Sequence, residues 1–272
     1  MLKFMNSTSQ VFISAALIVC MVFAGTMLST TPVLADSDTH KLEDHQKEYV
    51  YGSPANPSEA WIIASGMRLY DNWMAVTDHD GPKTTHPAWP ASNTKKKGNT
   101  TWRCKSCHGW DFKGKDGGYV TGSYKTGIIG VMGAATMHPD DIHKIIMDKT
   151  HRYTHDMIPA KAMLRLSKAL AIGLYDTKDY INDDGTVKGD LRRGREIFQN
   201  ICASCHGYDG TALDWGEEGS PAYISTEANA NPWEVIAKIR HGHPGVEMVS
   251  MIAFPMTDIA SILKYVRTLP QK

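Results

Sequence analysis

Cys104-Lys-Ser-Cys107-His108 and Cys202-Ala-Ser-Cys205-His206 constrain this chain more than any other feature. Each reads C-x-x-C-H, the pattern for covalent attachment of a c-type haem. Two thiols add across the two vinyl groups of one haem. The imidazole next to the second thiol then reaches the iron with almost no chain left to order. Two copies predict two covalently bound haem c groups, held by Cys104, Cys107, Cys202 and Cys205, with His108 and His206 as iron ligands. C-x-x-C also serves as a zinc half-site or a thioredoxin-like redox pair. A zinc ribbon has no use for histidine in the fifth position twice, and a redox pair has no use for a second copy.

The chain has 272 residues and a formal net charge of zero. That length supports one or two domains. The charge balance offers no basic patch for nucleic acid and no acidic tail. Lys3 is the only charged residue before Asp36, and an apolar run from Val11 to Leu28 follows it. Val33-Leu34-Ala35 supplies a cleavage point, so residues 1–35 read as a secretory signal. The run is 18 residues long, the lower limit for a spanning helix, so an uncleaved membrane anchor is the alternative. Export to the periplasm or an equivalent compartment suits covalent haem attachment, which bacteria perform outside the cytoplasmic membrane. Val19 before Cys20 is a poor match to a lipidation site. Setting Cys20 aside, two haems use all four remaining cysteines, which leaves no thiol for a structural disulfide or a catalytic nucleophile.

The motifs lie 98 residues apart, and their surroundings repeat. Gly66-Met-Arg-Leu-Tyr70 and Gly194-Arg-Glu-Ile-Phe198 precede them on expected helices. Each glycine allows another helix to approach closely, and the aromatic one turn later packs beside it. Gly109-Trp110-Asp111 and Gly207-Tyr208-Asp209 follow the histidines. Proline-started helices are expected from Pro139 to Lys149, with Ile142, Ile145 and Ile146 on one face, and from Pro232 to Arg240, with Trp233, Ile236 and Ile239. Closing helices are expected over Met163–Tyr175 and Thr257–Leu269, the latter carrying Ile259, Ile262, Leu263 and Val266 at helical spacing. Asp78 to Thr101 has no periodicity and reads as a long surface loop. The organisation is thus a signal (1–35), an extension (36–57), a first domain (58–181), a turn-rich linker (182–190) and a second domain (191–272).

Helix, C-x-x-C-H, loop, helix, methionine, closing helix is the order of class I cytochromes c. From about Ser58 onward the chain resembles two such domains in tandem, as in diheme cytochromes c. The segments Arg240-His-Gly-His-Pro-Gly-Val-Glu-Met248 and Tyr265-Val-Arg-Thr-Leu-Pro270 carry the resemblance most strongly. It implies a mostly α fold and iron ligated by histidine and methionine, which raises the reduction potential. Met248 follows Pro244-Gly245, where the family places its ligand loop, and precedes Tyr265 by 17 residues; Met251 is the competitor. Met157 stands at a similar distance before Leu174 and Tyr175 and is the counterpart expected in the first half, with Met137 and Met163 as core. His151, His155, His241 and His243 lie near these methionines and read as loop histidines, with His155 the strongest rival of Met157. A loop proline carbonyl in the family holds the proximal imidazole. Pro221 is placed for this in the second half, while the first half has no proline between His108 and Pro139 and must rely on its glycine-rich stretch from Gly117 to Gly133.

The resemblance implies electron transfer between redox partner proteins rather than catalysis. Two other classes stay open. One is a haem-bearing subunit of a membrane or multisubunit oxidoreductase, in which the Asp78–Thr101 loop and the extension would dock. The other is a diheme enzyme with one open haem. Thiosulfate-oxidising diheme enzymes use an additional cysteine as iron ligand, which the cysteine count leaves no room for.

Overall fold

The computed structural model describes residues 54–271. The predicted signal or anchor and nearly all of the extension lie outside the described residues. Among those described, no helix is long and apolar enough to cross a membrane. Nine α-helices carry the described chain, and extended pairing is limited to isolated bridges.

The first half runs α1 (Glu59–Thr77), α2 (Cys104–His108), α3 (Pro139–Ile146) and α4 (Ala160–Ile172). The second runs α5 (Leu191–Ile197), α6 (Ala203–His206), α7 (Ile224–Ala230), α8 (Pro232–His241) and α9 (Met256–Val266). Two hydrophobic clusters result. One gathers Tyr70, Trp73, Met163 and Leu166; the other gathers Phe198, Ile236, Ile259 and Leu263.

Local chemistry explains the helix starts. The Ser58 hydroxyl accepts from Trp61 N at 3.2 Å and caps α1. Pro139 and Pro232 open α3 and α8, where a missing N–H costs nothing. The Asn231 side chain accepts from Glu234 N at 3.3 Å at the start of α8. α3 ends at Ile146, short of the expected Lys149, and leaves Ile145 exposed while Ile142 and Ile146 are buried. α4 starts at Ala160 behind Pro159 and stops at Ile172, so Tyr175 lies beyond its end. α9 covers Met256–Val266 and buries the four apolar residues expected of it.

The glycine–aromatic pairs behave as their spacing predicts. A Cβ on Gly66 would fall 2.6 Å from the Arg165 carbonyl and collide with Ala169; a Cβ on Gly194 would collide with the Ser261 carbonyl and lie 3.0 Å from Tyr265 Cβ. These are the crossing points of α1 with α4 and of α5 with α9. Tyr70 and Phe198 are buried one turn later.

The routes from these helices to the motifs differ. α5 continues through a π turn, Phe198–Cys202, straight into α6. In the first half α1 kinks at Asn72 (φ −154°, ψ 83°), ends at Thr77, and the chain returns only at Gly98–Trp102. The intervening segment is a loop as expected, but His86 and Trp89 are buried. Thr101 Oγ1 accepts from His86 N at 2.9 Å, and Trp102 Nε1 donates to Thr84 O at 2.8 Å. The expected linker is a tight turn that closes on Gly185, with Ile181 at its entrance buried in the second cluster.

The two halves meet along α1 and α8. Arg68 donates to the His241 carbonyl at 2.9 Å. Asp71, on the same face, pairs with Lys238 of α8 and with Arg103 at 2.5 Å. Ile252 of the second half packs on the first cluster.

Candidate functional site

Each motif occupies a short helix that a glycine ends. Gly109 (φ 84°) and Gly207 (φ 78°) adopt a backbone that other residues resist, and they turn the chain away directly after His108 and His206. The Gly109 amide returns to Lys105 O at 3.0 Å and the Gly207 amide to Ala203 O at 2.9 Å. Tyr70 reaches over to donate to the Gly109 carbonyl at 2.7 Å, so the predicted aromatic also fixes the end of the motif.

The four described cysteines form no disulfide. Burial pushes Cys104 and Cys107 up to about 12 and Cys202 to about 11. A thioredoxin-like pair needs a depressed thiol pKa, so this environment is the opposite of a redox dithiol. Among the described residues, no three His, Cys, Asp or Glu side chains converge as a metal cluster.

The two motif imidazoles differ in how they are held. His108 Nδ1 donates to the Ile129 carbonyl at 2.7 Å, which leaves Nε2 for iron. The glycine-rich stretch makes this possible. Gly114 pairs with Ile129, and Gly130 sits where a Cβ would strike the Phe112 carbonyl. The expectation that this stretch serves in place of a proline therefore holds. The matching expectation for the second half fails. His206 Nδ1 is buried without a hydrogen-bond partner, and Pro221 does not supply one. Its loop closes instead on Asp214, whose carboxylate accepts from Gly216 N and Ala222 N at 2.9 Å each.

Cysteine pairs outside any disulfide, an imidazole aimed by its remote nitrogen and flanking apolar clusters fit haem attachment. Residues 189–266 match the family model described as Cytochrome C oxidase, cbb3-type, subunit III. The match supports a c-type cytochrome domain over these residues. Such a domain carries covalently bound haem c and exchanges electrons with redox partners. The match stops short of the first motif. No curated protein and no solved structure matches the chain.

Around the cytochrome domain's motif, Met248 is half-buried in the loop between α8 and α9. Met251 is buried in the second cluster, its amide bonded to Ile239 O at 3.0 Å. His241 is buried, and His243 Nδ1 donates to its neighbour Pro244 O at 2.9 Å. In the first half Met163 is core, as expected, and Met137 and Met157 pack on the same cluster. His155 is exposed, its ring edge-on to His143 at 5.3 Å. His151 instead sits 6.2 Å from the His108 ring.

Sequence reasoning missed the buried cations beside the first motif. Lys105, within C-K-S-C-H, is buried with its amine 4.5 Å from the centre of the Trp110 ring, and burial lowers it to about 8. Trp110 is itself buried, whereas its sequence counterpart Tyr208 is 76% exposed. Nothing local distinguishes the two positions; the difference arises because only Trp110 faces the other half, where Lys238 also overlies it.

Proposed function

We propose that this chain is an exported electron-transfer protein with two c-type haems. Cys104 and Cys107 would hold one and Cys202 and Cys205 the other, with His108 and His206 as proximal ligands and Met248 as the second axial ligand of the C-terminal haem. The observation that carries the reading is the repetition of one arrangement. A glycine-crossed helix pair leads to each short motif helix, and a positive-φ glycine follows each histidine. Bound haem supplies reversible one-electron chemistry. The chain's residues set its potential through ligation, burial and hydrogen bonds. Electrons would enter at one haem from a donor protein, cross where α1 packs on α8, and leave at the other.

A second reading makes the chain a haem-bearing subunit of a multisubunit oxidoreductase. The description of the family matched by residues 189–266 favours it. The N-terminal segment would then anchor the chain.

Haem content per polypeptide tests the core of the proposal. Two haems are expected by pyridine haemochrome, falling to one in Cys104→Ala/Cys107→Ala and in Cys202→Ala/Cys205→Ala. A single haem in the wild-type chain would sink it. N-terminal sequencing of the mature protein separates the readings, since a start at Asp36 removes the anchor.

A further inference from the structure

We propose that His151, rather than a methionine, is the second axial ligand of the first haem, so that this haem is bis-histidine; the inference rests on the first motif carrying haem. The His108 and His151 ring centres are 6.2 Å apart with planes inclined at 30°. Metal–imidazole bonds of about 2.0 Å on each side, with roughly 1.1 Å from nitrogen to ring centre, separate two ligating rings by about 6.2 Å. Ordinary aromatic contacts also fall in this range, so the disposition of the nitrogens must decide.

Both rings have their remote nitrogen occupied. His108 Nδ1 donates to Ile129 O at 2.7 Å, and His151 Nδ1 donates to the Asp148 carboxylate at 3.2 Å. Each Nε2 is left for metal. A carboxylate or carbonyl on the far nitrogen is the usual support of a ligating imidazole.

The loop around His151 is built to hold it. Asp148 Oδ1 also accepts from Thr150 N and His151 N at 2.8 Å each. Arg152 turns the chain at φ 60°, and its amide donates to Asp148 O at 2.8 Å. From the other side, buried His86 donates through Nε2 to the His151 carbonyl at 2.8 Å. His86 is fixed in turn, packing edge-on to Trp102 at 4.2 Å and accepting from Ala88 N at 3.0 Å through Nδ1. The segment from Asp78 to Thr101 thereby acquires a task, because it braces the distal loop.

Helix register points the same way. The crossing glycines pair Ala169 with Tyr265, since each lies one turn after the carbonyl that its glycine meets. Met248 precedes Tyr265 by 17 residues, and Arg152, next to His151, precedes Ala169 by the same 17. Tyr175, from which the spacing to Met157 is counted, lies beyond the end of α4. His155 faces His143.

The test uses the haem-loaded full chain. Near-infrared magnetic circular dichroism of the ferric protein should show a bis-imidazole band from one haem and a sulfur-to-iron band from the other. His151→Ala should turn one haem high-spin and open it to carbon monoxide, with added imidazole restoring the low-spin spectrum. His151→Met should raise that haem's midpoint. Met157→Leu and His155→Ala should leave both spectra unchanged. Sulfur-to-iron bands from both haems, or loss of one in Met157→Leu, would overturn the assignment while leaving the two-haem reading intact. Two free thiols at Cys104 and Cys107 in the mature chain would overturn both together.

Discussion

The histidines of the two motifs are alike in sequence and unlike in environment. His108 Nδ1 donates to the Ile129 carbonyl, whereas His206 Nδ1 is buried without a partner. A hydrogen-bonded imidazole is the more basic ligand and favours ferric iron. Methionine sulfur does the reverse and raises the potential. On the proposed ligation the first centre has a supported imidazole on both sides, and it should therefore titrate at a lower midpoint than the second. Met248→Leu should abolish the sulfur-to-iron band, lower the second midpoint and open that haem to carbon monoxide, all readable in a redox titration. Met251→Leu should leave the spectrum alone and cost under about 1.5 kcal/mol, as a volume-conserving core change does. A band lost in the Met251 variant instead would reassign the ligand. The C-x-x-C-H residues were legible because covalent chemistry fixes their spacing. Ile129 was not, because a backbone carbonyl has no residue signature. Its role emerges only when Gly114 and Gly130 bring it over His108.

At the scale of elements, the helix crossings were the most legible feature after the motifs. A glycine four residues before an aromatic has one physical use on a buried helix, and both copies use it. Gly66→Ala and Gly194→Ala should each destabilise by roughly 1–3 kcal/mol, the cost of forcing atoms into a packed crossing. A Cβ on Gly133 would meet nothing within 4 Å, so Gly133→Ala should stay within about 0.5 kcal/mol. Urea unfolding followed at the haem absorption compares the three, and equal effects would show that the crossings carry no special constraint. Helix ends were less legible. The closing stripe predicts an α4 that reaches Tyr175, but Pro159 lets the helix begin at Ala160 and it stops at Ile172. Counted from the helix crossings instead, the position matching Met248 falls at Arg152, five residues before Met157. The π turn at Phe198–Cys202 also left no periodic trace, although it re-aims the second motif relative to α5.

At the scale of the molecule, the halves are joined by buried charge rather than by apolar contact alone. Burial by itself would raise the Asp71 carboxyl, but Lys238 and then Arg103 outweigh it and hold the pKa below the usual value. Arg103 adjoins Cys104, and Lys238 lies on α8 of the cytochrome domain. One carboxylate thus ties the first motif to the helix that leads into the Met248 loop, and Gly245 of that loop lies against Ala75 of α1. Sequence could not reveal this, because the partners are 167 and 32 residues away from Asp71. Asp71→Asn takes the main carboxylate from buried Lys238, leaving it Glu234 at 3.9 Å, and from half-buried Arg103; breaking a buried pair typically costs about 3–5 kcal/mol. Because the folded pKa is depressed, the wild-type advantage is complete above the unfolded carboxyl value of about 3.9 and is lost as pH falls through the folded one. The gap in denaturant stability between wild type and Asp71→Asn should therefore be constant near neutrality and close below about pH 4. A gap under about 1 kcal/mol at pH 7, the size of an exposed pair, would mean that the network does not hold the halves together. A large gap accompanied by a shift in both midpoints would mean that the same contact also couples the two centres. The loop bearing Met248 rests on α1, so loosening this interface should shift Met248 as well as lower stability.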